Sequence, residues 1–136
     1  MVHRIDFRIY FEDTDITGIV YHANYVKYFE RGRTESLRVA FKDLSAIMED
    51  EDPATFAVAS MEIQFKRPAK LDDLITVETE LVEAKGAKMI FDQRVMRGEE
   101  LLASAHVVAA VITMDGRPRR MPEEMRQRMD AYLGRA

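Results

Sequence analysis

YFEDTDITGIVYHANYVKYFERGRTESLR, residues 10–38, reads as the end of a strand, then a polar turn, then a helix. At about 100° per residue, Tyr25, Tyr28, Phe29, Gly32, Ser36, Val39 and Ala40 fall on one helix face. Lys27, Glu30, Arg31, Thr34 and Arg38 fall on the opposite one. Gly32 and Ser36 sit in the middle of the apolar face. Glycine inside a helix costs about 1 kcal/mol relative to alanine, so its presence predicts a close approach of the helix to a sheet beneath it.

Before the helix stands EDTDITGIVYHANY. Asp13 and Asp15 are two apart, which projects them to the same side at a strand end, and Gly18 supplies a turn or a close backbone approach. Aspartate is a preferred helix N-cap, and that structural role suits Asp13. Asp15 lies about seven residues before His22, too far to cap a helix starting near residues 22–24 unless the loop folds back. Asp15 is therefore the candidate reactive carboxylate. A helix N-terminus offers unpaired N–H groups and a positive dipole end, which makes the backbone N–H of His22 the candidate donor to a developing oxyanion.

Outward from this stretch the pattern is that of strands. Residues 3–12 alternate Ile5, Phe7, Ile9 and Phe11 against Arg4, Asp6, Arg8 and Tyr10, which predicts a half-buried strand. Residues 41–53 are acidic and irregular and predict a short turn of helix and a surface loop. From Ala57 the period is two: Ala59, Met61, Ile63 and Phe65 alternate with polar residues until Pro68. Two further alternating runs follow, around Ile75–Leu81 and Met89–Val95, with turns at Gly86 and Gly98. The run from Leu101 to Met114 is apolar at most positions, which predicts a central strand covered on both faces. A last amphipathic helix is expected over about Pro122–Leu133. Sequential strands with tight turns make an antiparallel sheet, and the apolar helix must be covered by it. The expected class is α+β: about five antiparallel strands wrapped around one long central helix, in a single domain over residues 1–136.

The composition narrows the function. A formal net charge of -4 lacks the basic excess of a nucleic-acid protein, and no DNA or RNA partner is expected. No Cys is present, which removes disulfides and thiolate chemistry and is compatible with a reducing cytoplasm. Three His without ligand spacing point to no metal site; His3 and His106 read as structural. Neither a signal peptide nor a membrane span is visible.

Phe11, Asp13, Asp15, Gly18, Val20, Tyr21 and Tyr25, followed by Glu30-Arg31-Gly32-Arg33-Thr34-Glu35, resemble the 4-hydroxybenzoyl-CoA thioesterase group of hotdog-fold enzymes. The likeness is greatest to short bacterial acyl-CoA thioesterases associated with the Tol-Pal envelope system. Arg67-Pro68-Ala69, Asp72-Asp73 and Pro122-Glu123 extend it over nearly the whole chain. The resemblance implies hydrolysis of an acyl-CoA thioester, with Asp15 as nucleophile or general base and His22 at the helix start. It also implies homodimers that often pair into tetramers, and no cofactor beyond the CoA of the substrate.

An acyl group lying between helix and sheet would meet Gly18, Val20, Tyr21, Tyr25, Tyr28, Phe29 and Met61, and no buried polar group dedicated to recognition is evident in the sequence. Two basic clusters, Lys66, Arg67 and Lys70, and Arg117, Arg119 and Arg120, could hold CoA phosphates. Two other classes fit the same residues: an acyl-CoA binding protein without turnover, and a hotdog dehydratase.

Overall fold

The computed structural model describes residues 1–44, 49, 51 and 53–134. Five strands, β1 (Val2–Arg8), β2 (Thr55–Phe65), β3 (Leu74–Lys85), β4 (Lys88–Arg97) and β5 (Glu100–Ile112), form one antiparallel sheet in the order β1-β3-β4-β5-β2. The helix α1 (Asn24–Phe41) packs on the inner face against β1, β3 and β4. The second helix, α2 (Glu123–Tyr132), packs against α1. This is the hotdog arrangement. Half of the expected turn and loop after Phe41, residues 45–48, 50 and 52, falls outside the described residues.

Side-chain alternation sets the sheet's faces. Ile75, Val77, Leu81, Met89, Phe91, Val95, Val107 and Val111 point inward and are buried. Bulges shift the register between Leu81 and Glu83 and between Val58 and Ser60. The first leaves Val82 facing out, 46% exposed, and returns Ala84 to the core.

Three expectations need correction. β5 lies between β4 and β2, with β4 in the centre of the sheet. Only the inner face of β5 is covered: Ala103, Ala105, Val107, Ala109 and Val111 are buried, whereas Ser104, Val108, Ala110 and Ile112 are half-buried and His106 is exposed. Phe11 is 81% exposed because the chain leaves the sheet after Arg8 and enters a single 3-10 turn at Phe11–Asp13. Val39 is 51% exposed, since the buried stripe of α1 runs on from Ser36 to Ala40 and Phe41.

The glycine and serine on the apolar face have separate causes. Ser36 Oγ and the Tyr132 hydroxyl of α2 share a buried hydrogen bond of 2.8 Å, so a small polar residue sits where the second helix lands. At Gly32 an added Cβ would lie 2.5 Å from Thr79 Oγ1, 2.8 Å from Val77 Cγ1 and 2.9 Å from Gln93 Nε2. Beside it Arg33 is buried and donates to Gln93 Oε1 (3.0 Å). Gln93 Nε2 in turn donates to the Phe29 carbonyl (2.8 Å) and to Thr79 Oγ1 (2.9 Å). This buried polar relay was not evident from the sequence.

Gly32→Ala gains about 1 kcal/mol of helix propensity but overpacks the contact and splits the Gln93–Thr79 bond, costs of about 1–3 kcal/mol each. We expect a clear fall in melting temperature by calorimetry. A variant as stable as the parent would contradict the close approach.

Candidate active site

The site is built where β1 runs out. Ile9 still pairs with the loop before β3, its N–H donating to the Asp73 carbonyl (2.9 Å) and its carbonyl accepting from the Asp72 N–H (2.9 Å). In the 3-10 turn that follows, Asp13 Oδ2 accepts the Tyr10 N–H (2.8 Å), the capping role expected of it, although the element capped is this turn and not α1. A small hairpin comes next, with Thr14 bridged to Val20. At its tip the Asp15 N–H donates to the Ile19 carbonyl (2.9 Å) and the Gly18 N–H to the Asp15 carbonyl (3.0 Å). Gly18 has φ +83°, and a Cβ added there would meet nothing within 4 Å, so the turn conformation is what requires glycine.

Asp15 Oδ1 accepts both the Thr17 N–H (2.8 Å) and the Thr17 hydroxyl (2.5 Å). Among the described residues Asp15 Oδ2 has no hydrogen-bond partner. The Thr17 hydroxyl, then its N–H, hold the Asp15 carboxyl below the usual carboxylate range; partial desolvation opposes this and the His22 imidazole adds to it. Asp15 is thus an ionised carboxylate with one oxygen anchored and the other open.

The start of α1 lies beside this hairpin. The N–H groups of Asn24, Tyr25 and Val26 are taken by the carbonyls of Tyr21, His22 and Ala23 at 2.9, 3.3 and 3.2 Å. No side chain caps Ala23. Among the described residues the N–H groups of His22 and Ala23 have no acceptor, which leaves two main-chain donors at the positive end of the helix dipole. The Asp13 carbonyl joins the parts: it accepts the Tyr21 N–H (3.0 Å) and Asn24 Nδ2 (2.8 Å).

A third segment, residues 66–73, backs the hairpin. Ile19 bridges to Lys70, the Val20 N–H donates to the Ala69 carbonyl (2.9 Å) and the Leu71 N–H to the Gly18 carbonyl (3.3 Å). The Ala69 N–H donates to the Tyr25 hydroxyl (3.1 Å). Arg97 locks the segment through Asp73 Oδ2 (2.7 Å) and the Pro68 carbonyl (3.2 Å).

The sequence-predicted residues divide accordingly. Asp15, Gly18, Val20, Tyr21, His22 and Tyr25 come together. Tyr21 and His22 are exposed and their rings are 4.8 Å apart. Tyr28 and Phe29 are core; burial first, then the Asp13 carboxylate, push the Tyr28 hydroxyl well above its ordinary pKa, and it has no hydrogen bond of ordinary geometry. Met61 pairs with Val107 in β2, four residues from the site end of that strand. Phe65, not among the expected site residues, takes the place expected for Met61, with its ring 5.4 Å from Tyr25 and 6.4 Å from His22. As the last apolar member of an alternating run before Pro68, Phe65 was the visible signal.

Of the basic clusters, Lys66, Arg67 and Lys70 belong to the backing segment. Arg117, Arg119 and Arg120 follow the opposite end of β5, roughly 30 Å away at about 3.3 Å per residue. Among the described residues no group of three His, Asp or Glu side chains could hold a metal ion, and no helix is long and apolar enough to cross a membrane.

Helix-covered sheet and acid-bearing turn together define a hotdog protein of the thioesterase type. A family model described as the Thioesterase-like superfamily matches residues 9–129, and the chain belongs to that family. It is 42% identical over 120 residues to the acyl-CoA thioesterase YbgC of Haemophilus influenzae, covering 88% of each chain. To the acyl-CoA thioester hydrolase YbgC of Escherichia coli O6:H1 it is 38% identical, over 87% of this chain and 88% of the other. The crystal structure of a probable thioesterase from Bartonella henselae superposes with a TM-score of 0.81 at 41% identity, covering 90% of this chain and 99% of that one.

Asp13→Asn keeps an acceptor for the Tyr10 N–H but loses its charge assistance, worth about 1 kcal/mol. A melting temperature lower by a few degrees is expected, with the main-chain bonds to Tyr21 and Asn24 intact. An unchanged melting temperature would contradict the capping role.

Proposed function

We propose that the protein hydrolyses acyl-CoA thioesters to the free acid and CoA at the Asp15–His22 site. The observation that carries this reading is the open Oδ2 of an ionised Asp15 beside two unpaired N–H groups at the start of α1. A thioester carbonyl accepting from the His22 N–H is polarised by neutral donors and by the helix dipole. Asp15 then either attacks the carbonyl carbon or takes a proton from the attacking water, and the CoA thiolate leaves. A lowered pKa weakens a carboxylate as base and as nucleophile alike, so both routes stay open: direct attack gives a mixed anhydride that water cleaves, and base-activated water gives the free acid directly. Tyr21, Tyr25 and Phe65 border the space an acyl group would enter. A cytoplasmic location goes with this reading, since a chain without Cys needs no oxidising compartment.

Asp15→Asn preserves shape and an acceptor for Thr17 but removes the reacting charge. In a thiol-release assay over acyl-CoAs from short aliphatic to aromatic, turnover should fall by about 10² or more while binding persists. A folded Asp15→Asn protein with near-normal turnover would sink the assignment. Tight binding without thiol release by the parent would favour the carrier reading.

The reading extends to assembly. Among the described strands β2 has an unpaired edge and exposes Val58 (47%) and Phe65 (53%). The other edge, β1, is covered by charge, with Arg4 paired to Glu78 (2.9 Å). An open edge invites pairing, and twofold pairing of β2 with a second copy reverses strand direction. That would bring the second copy's Arg117, Arg119 and Arg120 towards the site end beside Lys66, Arg67 and Lys70, so that both clusters could serve one CoA. A dimer, or a tetramer built from it, is expected by light scattering at micromolar concentration; an active monomer would contradict it.

A further inference from the structure

Resting on the hydrolytic reading above, we propose that Thr17 is a positioning residue for that reaction: it anchors Asp15 Oδ1 with two donors so that Oδ2 alone is presented to the thioester. Both contacts come from one residue, the N–H at 2.8 Å and the hydroxyl at 2.5 Å. Thr17 is exposed, so its side chain fills no core, and among the described residues its hydroxyl bonds to Asp15 alone. A half-exposed aspartate would otherwise sample several staggered rotamers; two donors on one oxygen select one of them. The turn beneath is held by the Ile19 carbonyl and the Gly18 N–H, so fixing the side chain fixes Oδ2 relative to the His22 and Ala23 N–H groups. Among the described residues His22 is the ionisable side chain whose charge acts on Asp15. Its imidazole works in the same direction as the Thr17 donors and must be separated from them.

The test compares Thr17→Val, which keeps shape and N–H but loses the hydroxyl, with Thr17→Ser, which keeps the hydroxyl. Because the hydroxyl lowers the Asp15 pKa, its loss moves the Asp15 titration to higher pH, as read by carboxyl NMR without substrate. The same shift should be seen in a His22→Gln background. At neutral pH Asp15 stays ionised in every variant, and a higher pKa alone would make it a slightly better nucleophile. A fall in kcat of about tenfold in Thr17→Val, within the range that small misplacements cost, with KM within twofold and recovery in Thr17→Ser, therefore reports positioning. An unmoved titration, or an unchanged kcat, overturns the proposal. Full activity in Asp15→Asn together with a shifted titration in Thr17→Val would instead mark the hydrolytic reading as the one that fails.

Discussion

How deeply α1 sits on the sheet governs the rest of the molecule, and the contact at Gly32 sets that depth. With no Cβ, the helix backbone comes down onto Thr79, Val77 and Gln93, and the Gln93 amide bonds to the Phe29 carbonyl of the helix and to Thr79 of the next strand. A buried amide is tolerated because its groups are satisfied. Arg33 adds a charge to the same relay. Burial lowers its pKa, yet guanidinium stays protonated in proteins, so the relay holds a permanent positive charge at the edge of the core. A cleft of about 240 Å³ opens beside it, between Arg33 and Leu37 of α1 and Phe56 and Val58 of β2, because α1 lies towards the β1–β3–β4 side of the sheet.

Depth alone does not place a helix end; two further ties do. Tyr132 on α2 holds the middle of α1 through Ser36. At the front, Asn24 reaches back to the Asp13 carbonyl, which also accepts the Tyr21 N–H. One carbonyl therefore serves both the acid-bearing hairpin and the helix start, and a movement of either disturbs the other. Residues 66–73 stiffen the hairpin from behind, and Arg97 holds that segment through Asp73 while also pairing with Glu100 at the β4–β5 turn. Reactive groups on a loop need such support, since loops are otherwise the more mobile part of a fold.

Much of this was legible in the sequence for local reasons. The helix face showed in 3.6-residue spacing, the strands in two-residue alternation, and the predicted close approach in a glycine that intrinsic propensity disfavours. The distance of Asp15 from the helix start argued against a helix cap for it, but Asp13 lies farther still, and its cap of the 3-10 turn is seen only in the structure. What stayed hidden depends on contacts between distant residues. Burial of Arg33 follows from Gln93, 60 positions away, and charge gave the opposite signal. Phe11 and Val39 continue an apolar period beyond the point where the sheet or its covering ends. The one-sided cover of β5 cannot be told from two-sided cover when both faces carry small apolar residues. The bonds of Thr17 to Asp15 rest on a turn geometry that Gly18 makes possible and that local sequence pattern does not reveal.

On the hydrolytic reading proposed above, main-chain donors suit the acid they would work beside. A lysine or arginine at the helix start would polarise a carbonyl, but it would also pair with Asp15 and withdraw the oxygen that has to react. Neutral N–H groups make no such pair of comparable strength. The nearby arginines are already engaged: Arg67 with Glu100 at 3.0 Å and Arg97 with Asp73 at 2.7 Å. The acidic residues of the β4–β5 turn and of the backing segment thus already pair with those cations. On that reading, what the site would need from position 22 is a backbone N–H and a helix start, which any residue other than proline could supply. The constraint falls instead on the residues that fix the geometry around it, Gly18, Asn24 and Gly32.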